Sequence, residues 1–283
     1  AAEFDAQIRR LRERRPLVGL DEVLAALRGE HEVPAGAVLV TFDDACTDFA
    51  TEAWPVLRHH GVPAVVFVPT DFPDHPHRAF WWDRVHAAVS AARGGPPLET
   101  PAGSLAVATD DDLDRARLTL RNWVWRTPHD EAMAGIDDLA RGLVDPEIRG
   151  NVLGWDDLRA LQREGLALGA HSRSHPRLDR LPADRAVEEV LGSIADLERA
   201  TGAVVAAFAY PGGGVTDELV RRLRDTGLAV AFTTERGVAD LRGGDPLRLP
   251  RINVGRRSSP AALSLQMLTL GAARRPGGRS GGR

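Results

Sequence analysis

The chain has 283 residues, 43% of them hydrophobic, which suffices for one large domain with a substantial buried core. Its 40 acidic residues outnumber 36 basic ones, all Arg, and the net charge of -4 provides no basic field for a nucleic-acid backbone. The single cysteine, Cys46, excludes an internal disulfide framework, and no apolar stretch is long enough to span a bilayer.

Residues 1–15 carry charges throughout and lack the apolar run of a signal peptide. They point to a cytoplasmic protein as the chain stands, or to an extracytoplasmic one if a leader preceded it. Helical patterns over 4–13 and 20–27 lead into apolar, strand-like runs at 37–41 and 64–68. The alternation then breaks over about 71–150, where Pro- and His-rich sequence, a Gly/Pro spacer near Gly94 and helical stretches near 80–92 and 112–125 read as an insertion covering one side of the domain. It resumes with helices over 155–164, 183–201 and 216–226 and strands over 166–170, 204–209, 229–233 and 247–252. Gly165, Gly202 and Gly227 stand where those three helices should stop. Strands alternating with helices predict a parallel α/β architecture. Residues 1–270 read as a single domain, and the Arg-, Gly- and Ser-rich tail 271–283 has nothing to bury and is expected to be disordered.

Two clusters stand at the ends of predicted strands. Asp43 and Asp44 follow the apolar run Val38-Leu39-Val40, so burial leaves two adjacent carboxylates that need a cation or hydrogen bonds, unless they simply start a turn or cap a helix. His171 and His175 follow the 166–170 strand, and two imidazoles four positions apart share a face if the segment curls into a helical turn. Two imidazoles and a carboxylate are a common ligand set for zinc or a similar divalent ion. Phe208-Ala209-Tyr210-Pro211-Gly212-Gly213 and Leu249-Pro250-Arg251 add two further strand ends. In parallel α/β folds the carboxyl ends of the strands are where sites assemble.

These residues resemble the NodB-like polysaccharide deacetylases of carbohydrate esterase family 4. Thr41-Phe42-Asp43-Asp44-Ala45 resembles the first family motif, His171 to His175 the second, and Phe208 to Gly212 a variant of the third. The resemblance covers roughly residues 35–255. It implies a distorted (β/α) barrel, here with a helical insertion, and a metal-dependent N-deacetylase acting on an N-acetylated amino sugar, in a polysaccharide or in a small glycoside. By the same resemblance Asp44, His171 and His175 hold a divalent metal, zinc first and cobalt or nickel as alternatives, Asp43 is the general base, and the Tyr210 backbone N–H faces the oxyanion.

The departures are specific. Ala45 stands where the family has Gly, which restricts the turn if it needs positive φ. No Arg lies near Ala207 to orient the catalytic Asp, and Arg251 is the candidate substitute, against an ordinary surface Arg at a strand edge. No His follows His175, so the late motif that supplies the proton donor is missing, and His75, His77 and His129 are the remaining candidates in the insertion. Asp240 and Asp245 are the nearest matches for the fourth motif. Trp81, Trp82, Trp123 and Trp125 are either a sugar platform or packing for the insertion. Two further readings keep the metal site: a deformylase or other amide hydrolase, and a catalytically silent carbohydrate-binding domain.

Overall fold

Every side chain of Ala64–Val68 is apolar, so a strand here is stable only with both faces covered, as in parallel sheets. The computed structural model describes residues 2–75, 78–141, 150–255, 258–259, 262–263, 265–267 and 269, so the expectations for His77 and the 271–283 tail fall outside the described residues. Six parallel strands form one sheet: β1 (Val40–Phe42), β2 (Ala64–Val68), β5 (Ala167–Ala170), β6 (Ala207–Ala209), β7 (Val230–Arg236) and β8 (Leu249–Arg251), in the order β1-β2-β5-β6-β7-β8. β3 (Leu98–Thr100) and β4 (Gly103–Leu105) form a separate antiparallel hairpin.

Side chains alternate between two cores with the period of two that a strand imposes. Ala64, Val66 and Val68 join Phe208 and Tyr210 under α3 (Trp54–His59), α7 (Trp155–Arg163), α8 (Ala183–Thr201) and α9 (Asp217–Leu223). Val65 and Phe67 join Ala207, Ala209, Val230, Phe232 and Leu249 on the other face, which α2 (Leu20–Leu27) covers with Leu20, Leu24 and Leu27. The rings of Phe67 on β2 and Phe232 on β7 lie 5.5 Å apart. Three strand steps separate these strands, about 14 Å in a flat sheet. The sheet is therefore curled into a half-barrel, with this second face inside. Gly169 on β5 belongs to the same interior: a Cβ there would come within 2.5 Å of the Phe67 ring.

The insertion has a core of its own. α4 (Trp81–Ala91), α5 (Asp110–Arg126) and α6 (His129–Ala140) pack through Val85, Ala88, Val89, Leu113, Leu120 and Ile136. α5 starts on a capping box in which Thr109 and Asp112 exchange hydrogen bonds. Sequence patterning foresaw α4 and α5 but not α6, the β3–β4 hairpin, or the π-helical turn Phe49–Ala53 leading into α3. α1 (Ala2–Arg14) lies where the 4–13 pattern places a helix, and α8 ends on Gly202 in the left-handed region at φ 71°. No described helix is long and apolar enough to cross a membrane.

Candidate active site

At the carboxyl end of β1 the backbone turns sharply, with Asp44 at φ 71° and Ala45 at φ 50°. Asp visits this left-handed region readily, whereas Ala does so at a cost of about 1 kcal/mol. The turn is held from outside. Thr47 N–H donates to Asn151 O, Leu153 N–H to Ala45 O, and Cys46 bridges to Val152. Burial, then the nearby carboxylates of Asp44, Asp48 and Asp83, push the Cys46 thiol up to about 12, so it is not a nucleophile.

The 171–175 segment does not form the helical turn that sequence spacing suggested. It is an irregular loop with Ser172 and His175 both at φ 62°. Glu189 on α8 holds it, accepting from the Arg173 and Ser174 N–H groups and from the Ser174 hydroxyl. Ser172 Oγ accepts from the His175 N–H, and Ser172 O and Arg173 O accept from Thr70 and Asp71. The imidazoles converge because the loop is tied at both ends, with ring centroids 4.9 Å apart.

Asp44, His171 and His175 come together. Asp44 Oδ1 lies 3.3 Å from His171 Nε2 and 3.1 Å from His175 Nε2, yet this buried oxygen has no hydrogen-bond donor. His171 Nδ1–H donates to Ala209 O at 2.7 Å, which places the lone pair of the neutral ring on Nε2, facing Asp44. An orphaned carboxylate oxygen opposed by ring nitrogens is a donor set that fits a divalent cation. Burial opposes charge on Asp44, but the His171 and His175 rings close beside it outweigh that and hold its carboxyl well below the usual range. Against the same burial, His171 is held above the ordinary imidazole value by Asp44 and Asp43.

Arg251, on β8, grips Asp43 with both guanidinium arms at 2.8 and 2.7 Å, and its Nε donates to Thr233 O. Thr41 Oγ1 takes a further contact at 3.3 Å. β1 and β8 are opposite edges of the sheet, about 24 Å apart if it were flat. The curl alone brings this pair together. Burial works against the Asp43 charge, and His171 and Arg251 more than compensate, leaving its carboxyl below the usual range.

Tyr210 is placed differently from its expected role. Its backbone N–H donates to Phe232 O within the β6–β7 ladder, and its fully buried ring sends its hydroxyl to Leu247 O. That amide is already spent. Gly212, two residues on, lines the cavity, and among the described residues no acceptor takes its N–H. Gly212 stands in the left-handed region at φ 57°, and the Gly-Gly pair after Pro211 is the sequence signal for such a turn.

A cavity of about 380 Å³ opens over the cluster. Its floor is Asp43, Asp44, His171, His175 and Gly212, and the insertion supplies Trp81, Trp82, Arg121, Trp125, His129 and Met133. Trp82 stacks on Phe80 at 4.2 Å and meets the His175 ring at 5.1 Å. Trp123 instead packs inside the insertion over Gly135. His129 enters the cavity from the start of α6, with burial lowering its pKa. His75 is exposed and lines no part of the cavity, and Asp245 is occupied in pairing with Arg224.

A family model described as polysaccharide deacetylase matches residues 30–231. Among solved structures, the Streptococcus pyogenes deacetylase PplD in complex with acetate superposes with a TM-score of 0.62 at 19% identity, over 94% of this chain and 86% of that one. IcaB from Ammonifex degensii gives 0.57 at 20% identity, over 94% and 88%. At these identities the likeness concerns the fold. Among curated proteins, the bifunctional purine biosynthesis protein PurH of Mycobacterium ulcerans (strain Agy99) is 30% identical over 156 residues, 48% of this chain and 28% of that protein. The chain thus spans well under a third of that relative's length, and the match carries no assignment of activity.

Proposed function

The chain belongs to the polysaccharide deacetylase family, and from that premise we propose that it is a metal-dependent N-deacetylase that hydrolyses the acetamide of an amino sugar carried on a small glycoside. The observation that carries this reading is the orphaned Asp44 Oδ1 opposed by two imidazole nitrogens, beside an Asp43 clamped by Arg251, in one cavity. Asp44, His171 and His175 would hold the ion, zinc first, with cobalt or nickel compatible with the same donors. When bound, such an ion polarises the amide carbonyl and acidifies the attacking water.

The chain's own residues do the rest. Asp43 takes the proton from water as its oxygen bonds to the acyl carbon, and Arg251 fixes the carboxylate's orientation. The free Gly212 N–H, rather than that of Tyr210, donates to the developing oxyanion. As the C–N bond breaks, the leaving nitrogen needs a proton. His129 would give it, since among the described residues it is the imidazole, apart from His171 and His175, that lines the cavity. The products are acetate and a free amine. The insertion roofs the site, and its volume is that of a small-molecule pocket, which favours a terminal sugar over an internal polymer unit.

The test is a panel of N-acetylated sugars with mass detection after loading with zinc, cobalt or nickel. Asp43→Asn should abolish turnover with metal content retained, His171→Ala should lose the metal, and His129→Asn should lower kcat with metal content unchanged. Undiminished activity of Asp43→Asn would overturn the mechanism. Formate in place of acetate would make the protein a deformylase, and sugar binding without product would make it a silent binding domain.

A further inference from the structure

The outer wall of the cavity carries a charge pattern that amide hydrolysis does not require. Arg121 on α5 and Arg177 both lie over the ring of Trp125, at 4.8 and 5.8 Å from its centroid, and Arg180 lines the same cavity. One carboxylate serves this group. Asp179 accepts two hydrogen bonds from Arg177, at 3.0 and 2.8 Å, and stands 3.9 Å from Arg180. Among the described residues no carboxylate pairs with Arg121. The carboxylates that line the cavity face elsewhere, Asp43 toward Arg251 and Asp44 toward His171 and His175.

Three guanidinium groups against one carboxylate leave excess positive charge around a single indole. Like charges held together in a partly enclosed site raise the energy of the empty cavity and lower that of an anion bound there. A neutral sugar satisfies hydroxyl contacts without such an excess. Guanidinium forks match the oxygens of a phosphoryl group in pairs, and the Trp125 ring beneath Arg121 and Arg177 gathers the two forks at one place.

The geometry points to an oxyanion subsite, formed by Arg121, Arg177 and Arg180 around Trp125, that takes a phosphoryl group on the amino-sugar substrate. The inference rests on the deacetylase reading for the word substrate and on the arginines for the word phosphoryl. The enzyme is then one that acts on sugar phosphates or phosphate-linked sugars, downstream of a reaction that phosphorylates an N-acetylated sugar or attaches it through phosphate.

Product amines separate the two parts, because they bind without turning over. The affinity of the metal-loaded full chain for glucosamine 1-phosphate, glucosamine 6-phosphate and glucosamine is measured by calorimetry. At least one phosphate should bind tenfold or more tightly than glucosamine. Arg121→Gln and Arg177→Gln should each cut that preference several-fold, while Arg115→Gln, on an exposed turn of the same helix, should retain it. Equal affinity for all three amines would overturn the subsite, as would a phosphate preference that both arginine variants retain, which would place the phosphate on the metal. Acetate release from the corresponding N-acetyl sugars is followed in parallel. Release without phosphate preference sinks the subsite and spares the deacetylase reading, and preference without release does the reverse.

Discussion

Arg251 was legible in the chain only as a candidate, because nothing local tells an arginine on a short strand that its partner lies some two hundred positions earlier. In the structure it meets Asp43 with a bidentate grip and donates a third hydrogen bond, from Nε, to Thr233 O. Lysine keeps the charge and loses the fork. Arg251→Lys should therefore lower kcat about tenfold to a hundredfold, the equivalent of one charge-assisted hydrogen bond, with a smaller change in KM. An unchanged kcat would show that the pair orients nothing. Ala45 carries a second residue-scale prediction. It is fully buried at φ 50°. Ala45→Gly should fold with stability within about 1 kcal/mol of the parent, whereas Ala45→Val, β-branched in a left-handed turn, should lose about 2 kcal/mol or more by chemical denaturation.

At the scale of elements, the 171–175 loop after β5 is tied to α8 twice, through Glu189 and through Asp196. Asp196 accepts from Arg173 Nε at 2.6 Å, from Arg199 at 2.9 Å and from Thr70 Oγ1 at 3.3 Å. Burial raises its pKa, and the two guanidinium groups more than reverse that, leaving it depressed. A depressed folded-state value means that the stability from this group is fully present above the unfolded pKa of about 3.9 and is lost as pH falls through the folded one. Asp196→Asn should therefore destabilise the protein most above about pH 5, and the gap from the parent should close in strong acid. A gap independent of pH would show that packing, not charge, holds α8 to the loop. The helical face of α8 was evident in its periodicity. Its grip on the loop was not, because hydrogen bonds from a loop backbone to one helix carboxylate leave no periodic trace.

For the whole molecule, the ion would join the end of β1 to the end of β5, two strands separated by β2. Binding to the native state alone stabilises by mass action, by about 4 kcal/mol at a thousandfold excess over the dissociation constant. Chelation should thus lower the melting temperature by several degrees as well as abolish activity, and an unmoved transition would exclude a metal on this triad. The sequence by itself determined the parallel α/β class, most of the strands and helices, and the two strand-end clusters, around Asp44 and around His171 and His175, that the structure brings together. It did so because apolar runs, helical periodicity and strand-end motifs are local records of burial and of chemistry. It misjudged Tyr210, whose amide belongs to the β6–β7 ladder, and it offered a helical turn where a clamped loop aligns His171 and His175. The curl of the sheet and the fold of the insertion were decided only in three dimensions. Closing β8 toward β1, and bringing His129, Trp125 and Arg121 over the strand ends, depends on contacts between segments far apart in the chain, which no local pattern encodes.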